Sequence, residues 1–210
     1  METTAERADR WRAVVPDLAA EAPALFEDFL DEIERWNRRI KLTAPGSRSE
    51  LATRLIDDTL LLLPHVIGPS VIDVGSGPGV PGLPLAIARP GLEVRTVEAI
   101  AKKVAFTRAY LARQPSLQVR PFQGRAEGRP GEPWGTASTV VSRAFTSPRE
   151  WIRIGAPLVA PGGRLIVTLG AGTGADADTV AVEHGLVYGG YWAGECGGIP
   201  RALRWYDRPG

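Results

Sequence analysis

The chain has 210 residues, 44% of them hydrophobic and 23% charged, with 25 basic against 24 acidic side chains. That length suits one domain of ordinary size with a small extra lobe, and the hydrophobic share is enough to bury a core. A net charge near +1 excludes broad, charge-driven nucleic-acid binding while leaving a local basic face open. The single cysteine, Cys196, excludes an intramolecular disulfide and any multi-cysteine metal site.

The segment Met1–Arg12 mixes acids and bases without an apolar stretch, so it does not read as a secretory signal. No apolar run approaches the ~20 residues that span a bilayer. A cytoplasmic protein with no membrane contact is the expectation. From Ala24 to Ile40 the apolar residues Leu25, Phe26, Phe29, Leu30, Ile33, Trp36 and Ile40 trace one side of a helix. Acids lead this segment and Arg35, Arg38 and Arg39 close it, as the helix dipole favours. After Pro45-Gly46-Ser47 a second helix is predicted from Ser49 to Leu63, with Ser49 as its N-cap.

At Pro69 the pattern changes. Ser70–Val74 is a β-branched run leading into glycines, as a buried parallel strand would. Further strands are predicted at Glu93–Val97, Leu117–Phe122, Ser138–Val141 and Arg164–Thr168, and helices at Gly82–Ala88, Ile100–Arg113 and Pro148–Val159. Two late strands, Leu186–Trp192 and Arg201–Tyr206, suit an edge hairpin, and the small, polar stretch Gly170–Asp178 suits a mobile loop. Alternating strands and helices imply an α/β fold with a mostly parallel sheet covered on both faces. Residues 1–68 then form a helical extension and 69–210 the α/β domain.

The segment Asp73-Val74-Gly75-Ser76-Gly77-Pro78-Gly79-Val80 is the most informative. A strand delivers the chain to Asp73, glycines turn it tightly, and a helix opens near Pro81. Glycine permits close backbone approach and positive φ, and the helix start presents free N–H groups. Gly77, Gly79 and Gly82 satisfy the dinucleotide spacing G-x-G-x-x-G, so the pattern alone leaves NAD open. An acid ahead of G-x-G-x-G fits S-adenosyl-L-methionine (AdoMet) better, because that ligand presents an aminoacyl zwitterion and a sulfonium rather than a pyrophosphate. Glu98, at the end of the second strand, can accept ribose hydroxyls from either ligand. Context favours AdoMet: some seventy residues precede the loop, little chain follows the sheet, and neither His65 nor His184 sits where a dehydrogenase needs one. Gln123–Glu127 follows the third strand, where backbone groups of Ala126 and Glu127 could meet a purine edge. No metal site is expected.

Four segments together resemble the bacterial small-subunit ribosomal RNA guanine-N7 methyltransferase family, RsmG or GidB. They are Trp36-Asn37 with Leu42-Thr43, the stretch VIDVGSGPGVPGLPLAIARP, EAIAKKVAFTR, and Val141-Ser142-Arg143-Ala144-Phe145 followed by PGGRL. The resemblance covers roughly residues 25–170. It implies a class I (Rossmann-like) methyltransferase fold with a seven-stranded sheet and an N-terminal helical extension. Cofactor contacts are then expected at Gly75, Val80, Glu98-Ala99-Ile100, Ala126-Glu127 and Arg143, beside Asp73, Ser76, Gly77 and Gly79 from the loop itself. Arg143, at the carboxyl end of the fourth strand, is the candidate positioning residue, and no catalytic residue is assigned.

The implied chemistry asks for no general base. Guanine N7 already carries a lone pair, so catalysis reduces to positioning and electrostatics. An amino-methylating motif of the Asp/Asn-Pro-Pro-aromatic kind is replaced here by Ser142-Arg143-Ala144-Phe145, and Cys196 lies far from a strand end suited to pyrimidine C5 attack. The expected partner is ribosomal RNA or the small ribosomal subunit, met by a monomer through Asn37, Lys102, Lys103 and Arg149. Three positions depart from the family: Lys41 where it usually has Asn, Arg54 where it has His, and Leu169 where it has Lys. All lie on the substrate side. A relative acting on a small molecule and a non-catalytic AdoMet-binding module are therefore the rival expectations.

Overall fold

The computed structural model describes residues 2–126, 133–143, 145–170 and 172–210. Helices α1 (Thr4–Val14) and α2 (Ala22–Asn37) come first, followed by α3 (Arg48–Ala52), a π-helical turn at Thr53–Asp57 and α4 (Asp58–Leu60). Then β1 (Ser70–Val74), α5 (Gly82–Ala88), β2 (Glu93–Glu98), α6 (Ala101–Leu111) and β3 (Val119–Gln123) alternate. The chain continues through β4 (Ala137–Ser142), α7 (Pro148–Gly155), β5 (Val159–Leu169), α8 (Asp178–Glu183), β6 (Val187–Cys196) and β7 (Ile199–Asp207).

The seven strands form one sheet in the order β3-β2-β1-β4-β5-β7-β6. The first five are parallel, and β7 runs antiparallel between β5 and β6. Neighbouring strand residues point to opposite faces, and the core divides accordingly. Val71, Val141 and Ile166 join a cluster with Trp11, Phe26, Phe29, Leu30 and Phe106. Ile72, Val140 and Leu165 join one with Trp151, Ile152, Val180 and Tyr206. The N-terminal helices thus share a core with one face of the sheet.

Several boundaries differ from the sequence expectation. Helix α1 is unanticipated, because few of its residues are apolar and only Arg7 and Trp11 are buried. Polar bonds to distant residues anchor it: Trp11 Nε1 donates to Asp57 Oδ1 at 2.7 Å and Arg7 Nε to Glu27 Oε1 at 2.6 Å. The cap of α3 is Ser47, not Ser49, in a reciprocal capping box with Glu50. Helix α7 ends at Gly155 and β5 begins at Val159, running through Pro161-Gly162-Gly163. There the backbone pairs with the C-terminal segment, Gly162 N–H to Arg208 O at 3.0 Å and Arg208 N–H to Gly163 O at 2.8 Å. The stretch predicted as loop gives way to α8 at Asp178, whose carboxylate takes Nε of Arg204 and the hydroxyl of Tyr206, both at 2.7 Å.

Candidate cofactor site

The glycine turn lies at the carboxyl ends of β1 and β2, where parallel α/β sheets bind ligands. Gly75 and Ser76 donate their N–H groups to the Val97 carbonyl at 2.8 and 3.2 Å, fastening the turn to the neighbouring strand. The side chain of Glu98 completes the clasp. Its Oε2 accepts from Gly77 N–H and its Oε1 from Ile100 N–H, each at 2.8 Å. Glu98 therefore fixes both the loop and the entrance to α6, and a carboxylate with about four lone-pair sites keeps capacity for ligand hydroxyls.

Two glycines are required for different reasons. Gly75, at φ +67°, has the Phe145 ring so close that a Cβ would lie 2.5 Å from Cδ2. Gly77, at φ +57°, has no atom of the described residues within 4 Å of the same position, so among them it borders open space. Gly79 and Val80 turn the chain back through N–H bonds to the Ser76 carbonyl, at 2.9 and 2.7 Å.

Asp73 is fully buried on β1. Oδ2 accepts from Gly82 N–H at the start of α5 at 2.8 Å, whereas Oδ1 is buried with no hydrogen-bond partner among the described residues. Desolvation pushes its carboxyl up to about 7; the Gly82 bond and the Arg143 charge pull it down only in part. A buried carboxylate with an unused oxygen is costly unless a cationic or donor group completes it. The residues present fit a ligand carrying an ammonium group and a ribose.

A cleft of about 240 Å³ opens beside this turn, lined among others by Gly75, Glu98, Ala99, Lys103, Ala126 and Phe145. Its lining mixes polar and apolar groups, and at about 240 Å³ it is somewhat smaller than the ~300–1,000 Å³ usual for small-molecule sites. Glu127 lies outside the described residues. Arg143 lines a second cavity instead, of about 350 Å³, with Arg54, Asp58, Leu169 and Arg201. Its guanidinium bonds the Arg54 carbonyl and lies 3.9 Å from Asp58, which Arg201 grips with two bonds at 2.8 and 3.0 Å. Arg143 thus stands between the cofactor turn and the helical extension. Burial lowers its affinity for a proton; the charges of Asp58 and Asp73 offset this only in part.

Among the other sequence candidates, Lys102 and Lys103 open α6, and Lys103 reaches the cleft. Asn37 turns inward: its Oδ1 accepts from Leu42 N–H at 2.9 Å and Thr43 N–H at 3.3 Å. The spacing of Trp36-Asn37 and Leu42-Thr43 is thereby explained as a side chain that closes the end of α2. Arg149 is on α7 and donates to the Asp176 carbonyl at 2.5 Å, away from the lysines of α6. Of the three substrate-side departures, Arg54 and Leu169 line the second cavity, and Lys41 is exposed on the turn after α2. The roles of Asp58 and Arg201 carried no local signal, because they meet only when β7 packs beside α4.

The profile of the GidB family, described as rRNA small subunit methyltransferase G, matches residues 23–180. The chain belongs to this family. It is 44% identical over 160 residues to the ribosomal RNA small subunit methyltransferase G of Anaeromyxobacter sp. (strain Fw109-5), covering 75% of this chain and 74% of that one. To the protein of the same name from Myxococcus xanthus (strain DK1622) it is 36% identical over 161 residues, covering 76% and 74%. Among solved structures, magnesium protoporphyrin IX methyltransferase (ChlM) from Synechocystis PCC 6803 with bound SAM superposes with a TM-score of 0.61 at 16% identity, covering 90% of this chain and 98% of that one. The AdoMet-dependent methyltransferase SibL, in its apo form, gives 0.62 at 17% identity, covering 99% and 74%. This GidB-family chain therefore has the class I methyltransferase fold, with the family match spanning both its glycine turn and most of the preceding α2.

Proposed function

We propose that the protein is an AdoMet-dependent methyltransferase that transfers a methyl group to N7 of a guanine in small-subunit ribosomal RNA, acting as a single chain in the cytoplasm. The observation that carries the donor half is the Asp73–Glu98 frame around the glycine turn, with Asp73 Oδ1 buried and unpartnered among the described residues. Membership of the rRNA small subunit methyltransferase G family carries the acceptor half.

When bound, AdoMet supplies an electrophilic methyl group, the sulfur keeping the C–S electron pair as the N7 lone pair forms the new bond. The protein's contribution is placement and electrostatics. Asp73 would neutralise the ligand's ammonium end, Glu98 would take ribose hydroxyls, and the backbone beside Ala126 would meet the purine edge. Phe145, packed on Gly75, forms the wall of the cleft at the end of β4. Nothing in this arrangement has to remove a proton from N7. Accordingly, Glu98, the one carboxylate lining the cleft among the described residues, is already committed to two backbone N–H groups.

Radiolabelled AdoMet, the purified protein and small ribosomal subunits lacking this modification test the proposal directly. Label appearing at guanine N7 of the RNA is the expected result. Label only in a small-molecule extract, or calorimetric AdoMet binding with transfer to no acceptor, would replace it with one of the two rivals.

A further inference from the structure

The charges of α2 and α6 are sorted along the two helices. These helices run antiparallel against each other: Arg113 meets Asp28 at 2.9 Å, Phe29 meets Tyr110 with ring centroids 5.3 Å apart, and Trp36 meets Phe106 at 5.6 Å. From Glu27 to Glu34 every acid of α2 has an arginine. Glu27 pairs with Arg7 and Arg48, Asp28 and Glu32 with Arg113, and Asp31 and Glu34 with Arg48. Continuing the same antiparallel register places the turn after α2 beside the first turn of α6. There the order reverses: Arg38, Arg39 and Lys41 are exposed, as is Lys102, with Lys103 half-buried. None of these five has an ion-pair partner among the described residues.

The dipole of α2 accounts for cations at its carboxyl end, but not for Lys102 and Lys103. They occupy the first turn of α6, where the dipole opposes positive charge; that turn holds no acid of its own, and the Glu98 carboxylate at its entrance is engaged by the Gly77 and Ile100 N–H groups. A concentration of uncompensated like charge costs folding free energy, and a polyanion is the partner that recovers it. Within the same region a cavity of about 280 Å³ is lined by Arg35, Trp36, Arg39 and Ile40. An indole with neighbouring guanidinium groups is a stacking surface for an unpaired base. Asn37 holds the turn that carries the three α2-side cations, through its bonds to Leu42 and Thr43.

From this juxtaposition we infer that the face formed by Arg38, Arg39, Lys41 and Lys102 is an RNA track. It binds phosphates of the strand leading to the cofactor cleft, which Lys103 borders, and lodges a neighbouring unpaired base against Trp36. The inference rests on the ribosomal-RNA proposal above and adds the route the RNA takes.

The test compares full-length wild type with the triple variant R39A/K41A/K102A and with R108A. Arg108 is exposed on the other side of α6, also without an ion-pair partner among the described residues, and serves as the matched control. Binding to protein-free small-subunit RNA is measured from low to high salt, alongside AdoMet affinity. The triple variant is expected to lower the slope of log Kd against log salt by about 2, roughly 0.7 for each single-strand phosphate no longer neutralised. R108A should leave the slope unchanged, and both variants should keep wild-type AdoMet affinity. An unchanged slope in the triple variant, or an equal fall in R108A, overturns the track. So does a loss of binding confined to assembled subunits, which would make the face a docking site for a ribosomal protein. Wild type that neither binds nor methylates ribosomal RNA would instead remove the underlying proposal, so the two failures are distinguishable. N37A supplies a second readout: with the turn released, it should reduce the salt slope although no charge is removed, whereas a merely local structural role would leave the slope as it is.

Discussion

The buried carboxyl of Asp73 links cofactor binding to stability in a way that pH can expose. Its proton affinity is raised from the ordinary 3.8 to about 7, chiefly by desolvation. At ~1.4 kcal/mol for each tenfold change, ionising it inside the fold costs about 4 kcal/mol relative to the unfolded chain. For an acid shifted upward, the folded state holds its proton longer than the unfolded one, so stability is lost as pH rises between about 4 and 7 and is level above that. The substitution Asp73→Asn keeps an oxygen to accept from Gly82 N–H and removes the charge. It also places an amide NH2 where Oδ1 has no partner among the described residues, at a cost of ~1–3 kcal/mol that does not depend on pH. Relative to wild type, D73N should therefore gain about 2–3 kcal/mol between pH 5 and pH 9. Urea unfolding of both cofactor-free proteins, followed by tryptophan fluorescence, reads this difference, and comparison of the pair cancels the other titrating groups. AdoMet affinity of the variant should fall ~10- to 100-fold, the worth of one charge-assisted bond. A stability difference that is the same at both pH values would refute the assignment of a strained, ligand-completed carboxylate.

Three further outcomes follow from the packing and the turn. Gly77→Asp should abolish AdoMet binding by calorimetry while circular dichroism stays native, because the new carboxylate enters the open space next to the Glu98 carboxylate and Asp is among the side chains that tolerate positive φ; retained affinity would move the site elsewhere. Trp11→Ala should lower stability by ~3–5 kcal/mol, since it empties a fully buried position and strips Asp57 of a donor. A change within ~0.5 kcal/mol in urea unfolding would show that α1 is not part of the cooperative fold. The Cys196 thiol is pushed up to about 12 by burial and the nearby Asp58 charge, so iodoacetamide at pH 8 should label it far more slowly in the native protein than in urea. Equal rates would contradict its placement against the Thr53 carbonyl.

What the sequence by itself determined is whatever depends on near neighbours. The β-branched run into Gly75, the acid ahead of the glycines and Glu98 at the end of β2 all act within one strand–turn–helix unit, and each is where its spacing puts it. The alternation that follows likewise implied the parallel sheet, because strand and helix periods are written locally. Other features waited for the tertiary structure. Polar α1 is held by Asp57 and Glu27, many residues further along. The start of β5 overrides Pro161-Gly162-Gly163 because the chain's last residues supply backbone partners there. Arg143 could be placed at a strand end from sequence, but its direction was decided by Asp58 and the Arg54 carbonyl, donated by the helical extension. The sorted cations of α2 and α6 were visible singly, and only antiparallel packing brings them to one face. Spacing along the chain encodes local geometry; partners remote in sequence are chosen when two surfaces bury each other, and that choice exists only in the fold.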